Sequence, residues 1–127
     1  MCLDTLDKKF VKPPKDQVFV GYKVMYPVKT PGKKTQWEPL FFGSALPEGA
    51  WRISRTHYDI FTSYENEPYP SGFHIYKTRK EARTALSTLS SGDAIVKVEF
   101  SHVLSKGIQH GLRVLIAKRI KALGAVR

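Results

Sequence analysis

The side chains in this sequence whose types and spacing could do chemistry gather in a few places. His74 lies in the stretch SGFHIY, just before a capped helical segment, and an imidazole beside the open amides of a helix N-terminus is suited to meeting an anion. Arg79 and Lys80 follow in the first helical turn, where cations oppose the helix dipole; a bound anion would offset that cost, as solvent also does. Arg52 and Arg55 flank Ile53 and Ser54 beside an aromatic stretch. They are candidates for a phosphate or carboxylate contact, or equally for surface pairing with Asp59 or Glu65. Tyr22, Tyr26 and Tyr76 are candidates for an aromatic sheet face on which bases stack, or for ordinary core residues.

Other chemistries lack their signatures. His57, His74, His102 and His110 are far apart, without paired spacing, and Cys2 is the single cysteine, so neither a zinc site nor an internal disulfide is expected. Ser44, Ser54 and Ser101 have no flanking glycines of a nucleophile elbow. No phosphate-binding loop or repeat occurs, and no cofactor is expected.

Charge is the strongest bulk signal. The formal net charge is +10, and residues 8–34 carry eight lysines against Asp16 alone. Residues 106–127 carry six basic residues and no acid, while the middle of the chain is nearly neutral. If both ends lie on one side of the fold, they make a patch able to attract nucleic acid, an anionic membrane surface or an acidic protein; the alternative is a solvated, highly soluble surface. No run of about 18 apolar residues occurs and the first residues do not read as a signal peptide, so no membrane span is expected and a reducing cytoplasm is the default.

The elements that must position these groups are legible as hydrophobic patterns. One domain is expected from 127 residues, with an extended basic lead-in over 1–16 and a basic tail at the C-terminus. Residues 18–26 alternate with a period of two and stop at Pro27, which predicts a strand. VKTPGKKTQ, with Lys29, Lys33 and Lys34, reads as an exposed loop or hairpin tip. Residues 37–42, broken by Pro39, predict an edge strand, and residues 51–54 another short strand.

Residues 55–70, rich in aromatics and without a clean period, read as a long ordered loop. Residues 72–77 predict a strand with Phe73 and Ile75 facing the core and His74 and Tyr76 the other face. Thr78-Arg79-Lys80-Glu81 is a capping box, in which the Thr78 hydroxyl takes the Glu81 amide and the Glu81 carboxylate returns to the Thr78 amide. Ala82, Ala85, Leu86 and Leu89 give the helix its buried stripe. AIVKVEF predicts a further strand, residues 101–111 a polar connection with His102 and His110, and residues 112–123 fit either strand or helix, with strand preferred.

The Met1-Cys2 start, Tyr22-Lys23-Val24, the block Gly72-Phe73-His74-Ile75-Tyr76, the alanine-bearing helix and Val96-Lys97-Val98 together resemble a family of small proteins from bacteriophages and bacterial mobile elements. That resemblance implies a setting in a host cytoplasm, acting on host machinery or host defence, and no particular activity. Residues 72–85 also look like part of an ADP-ribosyltransferase fold, which implies a dinucleotide pocket. Tyr22 and Lys23 stand where that fold expects His or Arg, and Glu99 is the one late carboxylate.

The expected fold is therefore α+β, a small twisted, mostly antiparallel sheet of about five strands packed on one helix over 78–89. The expected function is non-enzymatic binding of a polyanion or an acidic host protein, through Lys23, Lys29, Lys33, Lys34, Arg79, Lys118 and Arg119. The alternative is a nucleotide binder or transferase with His74, Tyr76 and Arg52 in its pocket, and a minor virion component is a third role. The four histidines and the oligomeric state carry no assignment.

Overall fold

Alternating apolar residues write most of this chain as strand, and long-range pairing decides which face of each strand is interior. The computed structural model describes residues 3–39, 45–54, 58–87 and 93–126. In chain order its strands are Thr5–Leu6 (β1), Phe19–Val28 (β2), Gln36–Pro39 (β3), Leu46–Pro47 (β4), Trp51–Ile53 (β5), Asp59–Phe61 (β6), Pro68–Pro70 (β7) and Phe73–Tyr76 (β8). The helix Arg79–Ser87 (α1) follows, then two long strands, Ala94–Gln109 (β9) and Leu112–Ala125 (β10).

β9 and β10 form one antiparallel hairpin, from Leu112↔Gln109 at the turn to Ala125↔Val96 at the far end. His110 and Gly111 in the turn have φ of 50° and 78°, the left-handed pair that matches the twist of a tight hairpin. β2 runs along the other edge of β9, from Phe19↔Phe100 to Met25↔Ala94, and β8 along the other edge of β10, from Val114↔Tyr76 to Ala117↔Phe73. Tyr22↔Tyr76 then joins β2 to β8, so β9, β10, β8 and β2 close a circuit of hydrogen-bonded pairs. β3 and β4 extend the sheet from β2, β5 from β10 and β1 from β9, while β6 and β7 form a separate two-stranded sheet.

Residues directly opposite in antiparallel strands share a face, so Phe19, Gly21, Lys23 and Met25 point the same way as Val96, Val98 and Phe100. That face is the interior of the circuit, where Met25, Val96, Val98, Phe100, Ile75, Ala117, Ile120 and Ala122 are buried with Trp37 and Leu46. The walls are close: a Cβ on Gly21 would lie 2.7 Å from Ile75 Cγ2 and 2.9 Å from Phe100 Cε1. Glycine at 21 is what lets β2 approach β8 and β9 together.

The outer face carries a second core. Leu3, Tyr69, Val114 and Ile116 are buried there with Leu6, Ile60 and Tyr76, so the β6–β7 hairpin covers β8 and β10. Its turn accepts the N-terminal segment, with the Ser63 and Tyr64 amides donating to the Leu3 and Asp4 carbonyls at 2.9 and 3.2 Å. Further along the outer face α1 covers β2 and β9, burying Ala82 and Ala85. No helix among the described residues is long and apolar enough to cross a membrane.

The α+β class and the mostly antiparallel sheet are as expected, but the sheet is larger than five strands and α1 is short. The stretch 101–111, expected as a connection, is mostly strand, because β9 runs through His102 at φ 56° instead of stopping. A register shift between Ile116 and Ala117 accompanies that bend on β10. The stretch 55–70, expected as loop, contains β6 and β7; Arg55 and His57 lie outside the described residues. The basic tail is no tail, since Lys118, Arg119 and Lys121 lie inside β10. Thr78 caps α1, which is described to Ser87; the expected extension to Leu89 lies outside the described residues, as does that of β3 beyond Pro39.

A basic face as the candidate functional site

On the outer face beyond α1, four strands place their side chains in register. Trp51 on β5 lies opposite Lys121 on β10, Lys121 opposite Glu99 on β9, and Glu99 opposite Val20 on β2. The neighbouring row is Ile53, Arg119 and Ser101. Alternation therefore turns Trp51, Ile53, Arg119 and Lys121 to one side, and the rings and cations meet: Arg119 Cζ lies 4.9 Å and Lys121 Nζ 5.3 Å from the Trp51 ring centroid. Lys121 also reaches Glu99 Oε1 at 3.0 Å. Arg119 has no carboxylate partner among the described residues, and its buried Nε has no hydrogen-bond acceptor there. Ile53, Val18 and Val20 leave this face partly apolar and open to solvent, Ile53 being 61% exposed.

The lead-in supplies the rest of the charge. The His102 amide donates to the Lys15 carbonyl at 3.1 Å, which pins residues around Lys15 against the bend of β9. The His102 imidazole is held below its ordinary pKa by partial burial and then by the positive charges of Lys15, Lys118, Lys12 and Arg119. Two groups from the basic beginning of the chain and two from β10 thus converge on one histidine. Like charges gathered in this way repel one another and draw anions from solution.

The other expected residues fall elsewhere. Lys29, Lys33 and Lys34 are exposed at the tip of the β2–β3 hairpin, at the far end of the ten-residue β2 and so roughly 30 Å of strand from Val18. Arg79 lies 5.9 Å over the Tyr22 ring, on the α1 side. Arg52 is exposed on β5 but alternates to the side opposite Trp51 and Ile53.

Lys23 is a correction to the expected surface set. Its side chain points into the closed circuit, where Nζ donates to the His74 carbonyl at 2.9 Å, and burial lowers its pKa to about 8. A strand flanked on both faces by apolar layers gives no sign in its own alternation of which face closes.

His74 and Tyr76 sit under the second core, and not in an open pocket with Arg52. His74 Nδ1 lies 3.2 Å from Gln109 Oε1, a bond that needs the proton on Nδ1; Nε2 is buried without a partner among the described residues. Burial first, and Lys23 second, lower the His74 pKa to about 4. Burial, then the Glu81 charge, raises the Tyr76 phenol. His74 aligns with Ile116 on β10, on the face of the second core, and Arg52 with Ile120, on the opposite face, where its side chain is exposed at the edge strand. The pieces of the nucleotide pocket are not brought together.

A shallow hollow of about 280 Å³ lies beside β1, between Thr5, Asp7, Lys106 and Arg113. Two of its charges are committed: Asp7 caps the Lys9 amide at 3.0 Å and Arg113 is held by Glu81 at 3.2 Å. Among the described residues no group of three or more His, Cys, Asp or Glu is placed to hold a metal. Sequence reasoning singled out Lys118 and Arg119 but missed Lys12, Lys15, Lys121, Trp51 and His102 as their neighbours. The only signals were the excess of lysine in the lead-in and the tryptophan beside Arg52. Comparisons with protein-family models, curated proteins and solved structures give no match.

Proposed function

We propose that this chain is a non-enzymatic binding protein that engages a polyanion on the outer face of β2, β9, β10 and β5. The observation that carries this function is that the His102 amide holds the Lys15 carbonyl against β9 next to the Ser101↔Arg119 pair, which brings the basic lead-in to the strand that carries Lys118 and Arg119. Arg119 contributes a cation whose fixed neighbour is an aromatic ring and not a carboxylate. The resemblance to small bacteriophage and mobile-element proteins supports a setting among host machinery or host defences.

Four phosphate contacts would give a slope of roughly 3.6 in the logarithm of affinity against that of salt. The test is binding of labelled DNA and RNA across a salt series, after purification through high salt to strip adventitious nucleic acid. Binding that weakens steeply with salt is the expected result. No binding at physiological ionic strength, to nucleic acid or to heparin, would remove this function.

A further inference from the structure

The chain has two tryptophans in opposite circumstances. Trp37 is a core residue, 4% exposed, and its indole N–H donates to Glu48 at 3.3 Å. Among the described residues Trp51 belongs to neither core and its strand pairs with β10 alone; it stands half-buried there, its ring held by Arg119 and Lys121. A phosphate backbone alone makes no use of such a ring, nor of the exposed Ile53 beside it or the exposed Val18 and Val20 at the opposite edge of the face. Unstacked bases use both, since every base has a face that stacks on an aromatic side chain.

The shape of the face also selects among nucleic acids. A helix or a two-stranded ribbon fits the DNA major groove, which is about 12 Å wide. Four strands spaced about 4.8 Å apart span roughly 14 Å between their outer backbones, before side chains are added. This face is too broad to enter the groove, so bases must come out to meet it.

From these features we infer that the occupant of the basic face is single-stranded nucleic acid, with a base stacked on Trp51 and neighbouring phosphates held by Arg119, Lys118 and the lead-in lysines. This rests on the polyanion function proposed above and names its ligand. Arg119 serves twice, as the cation that orients the ring and as a phosphate contact.

The test compares three probes at matched salt: a labelled oligothymidylate, a DNA duplex of the same length, and heparin as a polyanion without bases. Wild type should prefer the oligothymidylate to the duplex. Trp51→Ala should weaken oligothymidylate binding by roughly tenfold or more, leave heparin binding and the salt slope unchanged, and keep the wild-type melting temperature to within a few degrees. Trp51→Phe, which keeps a ring, should restore most of the affinity.

Equal affinity of wild type for single strand and duplex, or no effect of Trp51→Ala on oligothymidylate, would overturn the stacking site while steep salt dependence left the basic face standing. Failure of all three probes to bind would instead remove the basic face itself, and the stacking site with it.

Discussion

Arg113 and Arg119 lie on the same strand, and what faces them differs entirely. Arg113 donates from Nε and Nη2 to the two oxygens of Glu81, each at 3.2 Å, and its backbone amide adds a third bond to the same carboxylate. Arg119 faces Trp51. At the Arg113 end of the molecule Lys8 is likewise compensated, at 2.7 Å from Glu67 and 3.6 Å from Glu65. A net charge of +10 is therefore not spread evenly over function. One end spends its cations on tying α1 to β10 and the β6–β7 turn to the N-terminal segment; the other pairs Lys121 with Glu99 but leaves Lys12, Lys15, Lys118 and Arg119 without a carboxylate among the described residues.

The largest effect should come from erasing that difference. Changing Lys12, Lys15, Lys118 and Arg119 together to Gln should lower polyanion affinity on the order of a thousandfold at physiological salt, and flatten the salt slope by roughly 3.6. Lys8→Gln with Arg113→Gln should leave the slope alone. If the paired cations matter as much as the unpaired ones in a fluorescence-anisotropy titration, the distinction between the two ends is broken.

The interior sharpens the same contrast, because Lys23 and His74 also lack a countercharge among the described residues and there the consequence is stability. The folded state binds the His74 proton only near pH 4, whereas an unfolded chain binds it at the ordinary 6.5. Stability contributed by neutral His74 is present above 6.5 and is lost as pH falls toward 4, by roughly 3 kcal/mol. Lys23 releases its proton near pH 8 in the fold and near 10.5 when unfolded. Its share of stability accordingly rises across that alkaline window by a similar amount. Urea unfolding against pH should show both slopes. Lys23→Met should flatten the alkaline one and His74→Gln the acid one; a variant curve parallel to wild type would show that the group is solvated.

Smaller effects belong to the compensated end. Glu81→Ala removes the carboxylate that receives the Thr78 hydroxyl and all three Arg113 bonds, leaves the Thr78 cap on the backbone amide of residue 81 in place, and should cost about 1–3 kcal/mol in thermal or urea unfolding. Lys8→Ala, at an exposed and solvent-screened pair, should leave the unfolding midpoint almost unchanged. A reversal of that order would mean that the Lys8 cluster, and not Glu81, fastens this end.

Local signals in the sequence were followed faithfully by the local structure. The alternation around Tyr22 gives β2, the Pro-Gly lysine segment gives its hairpin tip, and Thr78 accepts the Glu81 amide at 3.2 Å as its capping box requires. The second half of that box is different. Glu81 receives the Thr78 hydroxyl at 2.8 Å and turns its remaining capacity to Arg113, a partner brought by tertiary structure.

What stayed hidden depends on pairing between distant segments. The bend at His102 carries a strand through polar residues that resemble a connection, and this alone conceals half of β9. Closure of β2 against both β8 and β9 inverts the expected place of Lys23. The basic face was legible only as a condition, that the two charged ends meet; the His102 bend brings the lead-in at Lys15 to β9, Lys29, Lys33 and Lys34 stay at the hairpin tip, and the β5–β10 register sets Trp51 at the edge beside Arg119 and Lys121.

Closure also bears on how the chain comes to be folded. Met25 in β2 takes Ala94 as its partner, and Phe19 takes Phe100, so β2 must wait for most of the polypeptide to be made. At roughly 5–20 residues per second of synthesis that delay lasts seconds, during which Met25–Val28 find a local partner in β3 and the preceding FVGYKV is an unpaired, β-prone segment. Its one charge is Lys23, a gatekeeper against intermolecular stacking in the nascent strand and a buried, desolvated group once the circuit shuts. The Lys23→Met protein should consequently leave more aggregate than wild type on refolding from urea, even where its native state is no less stable.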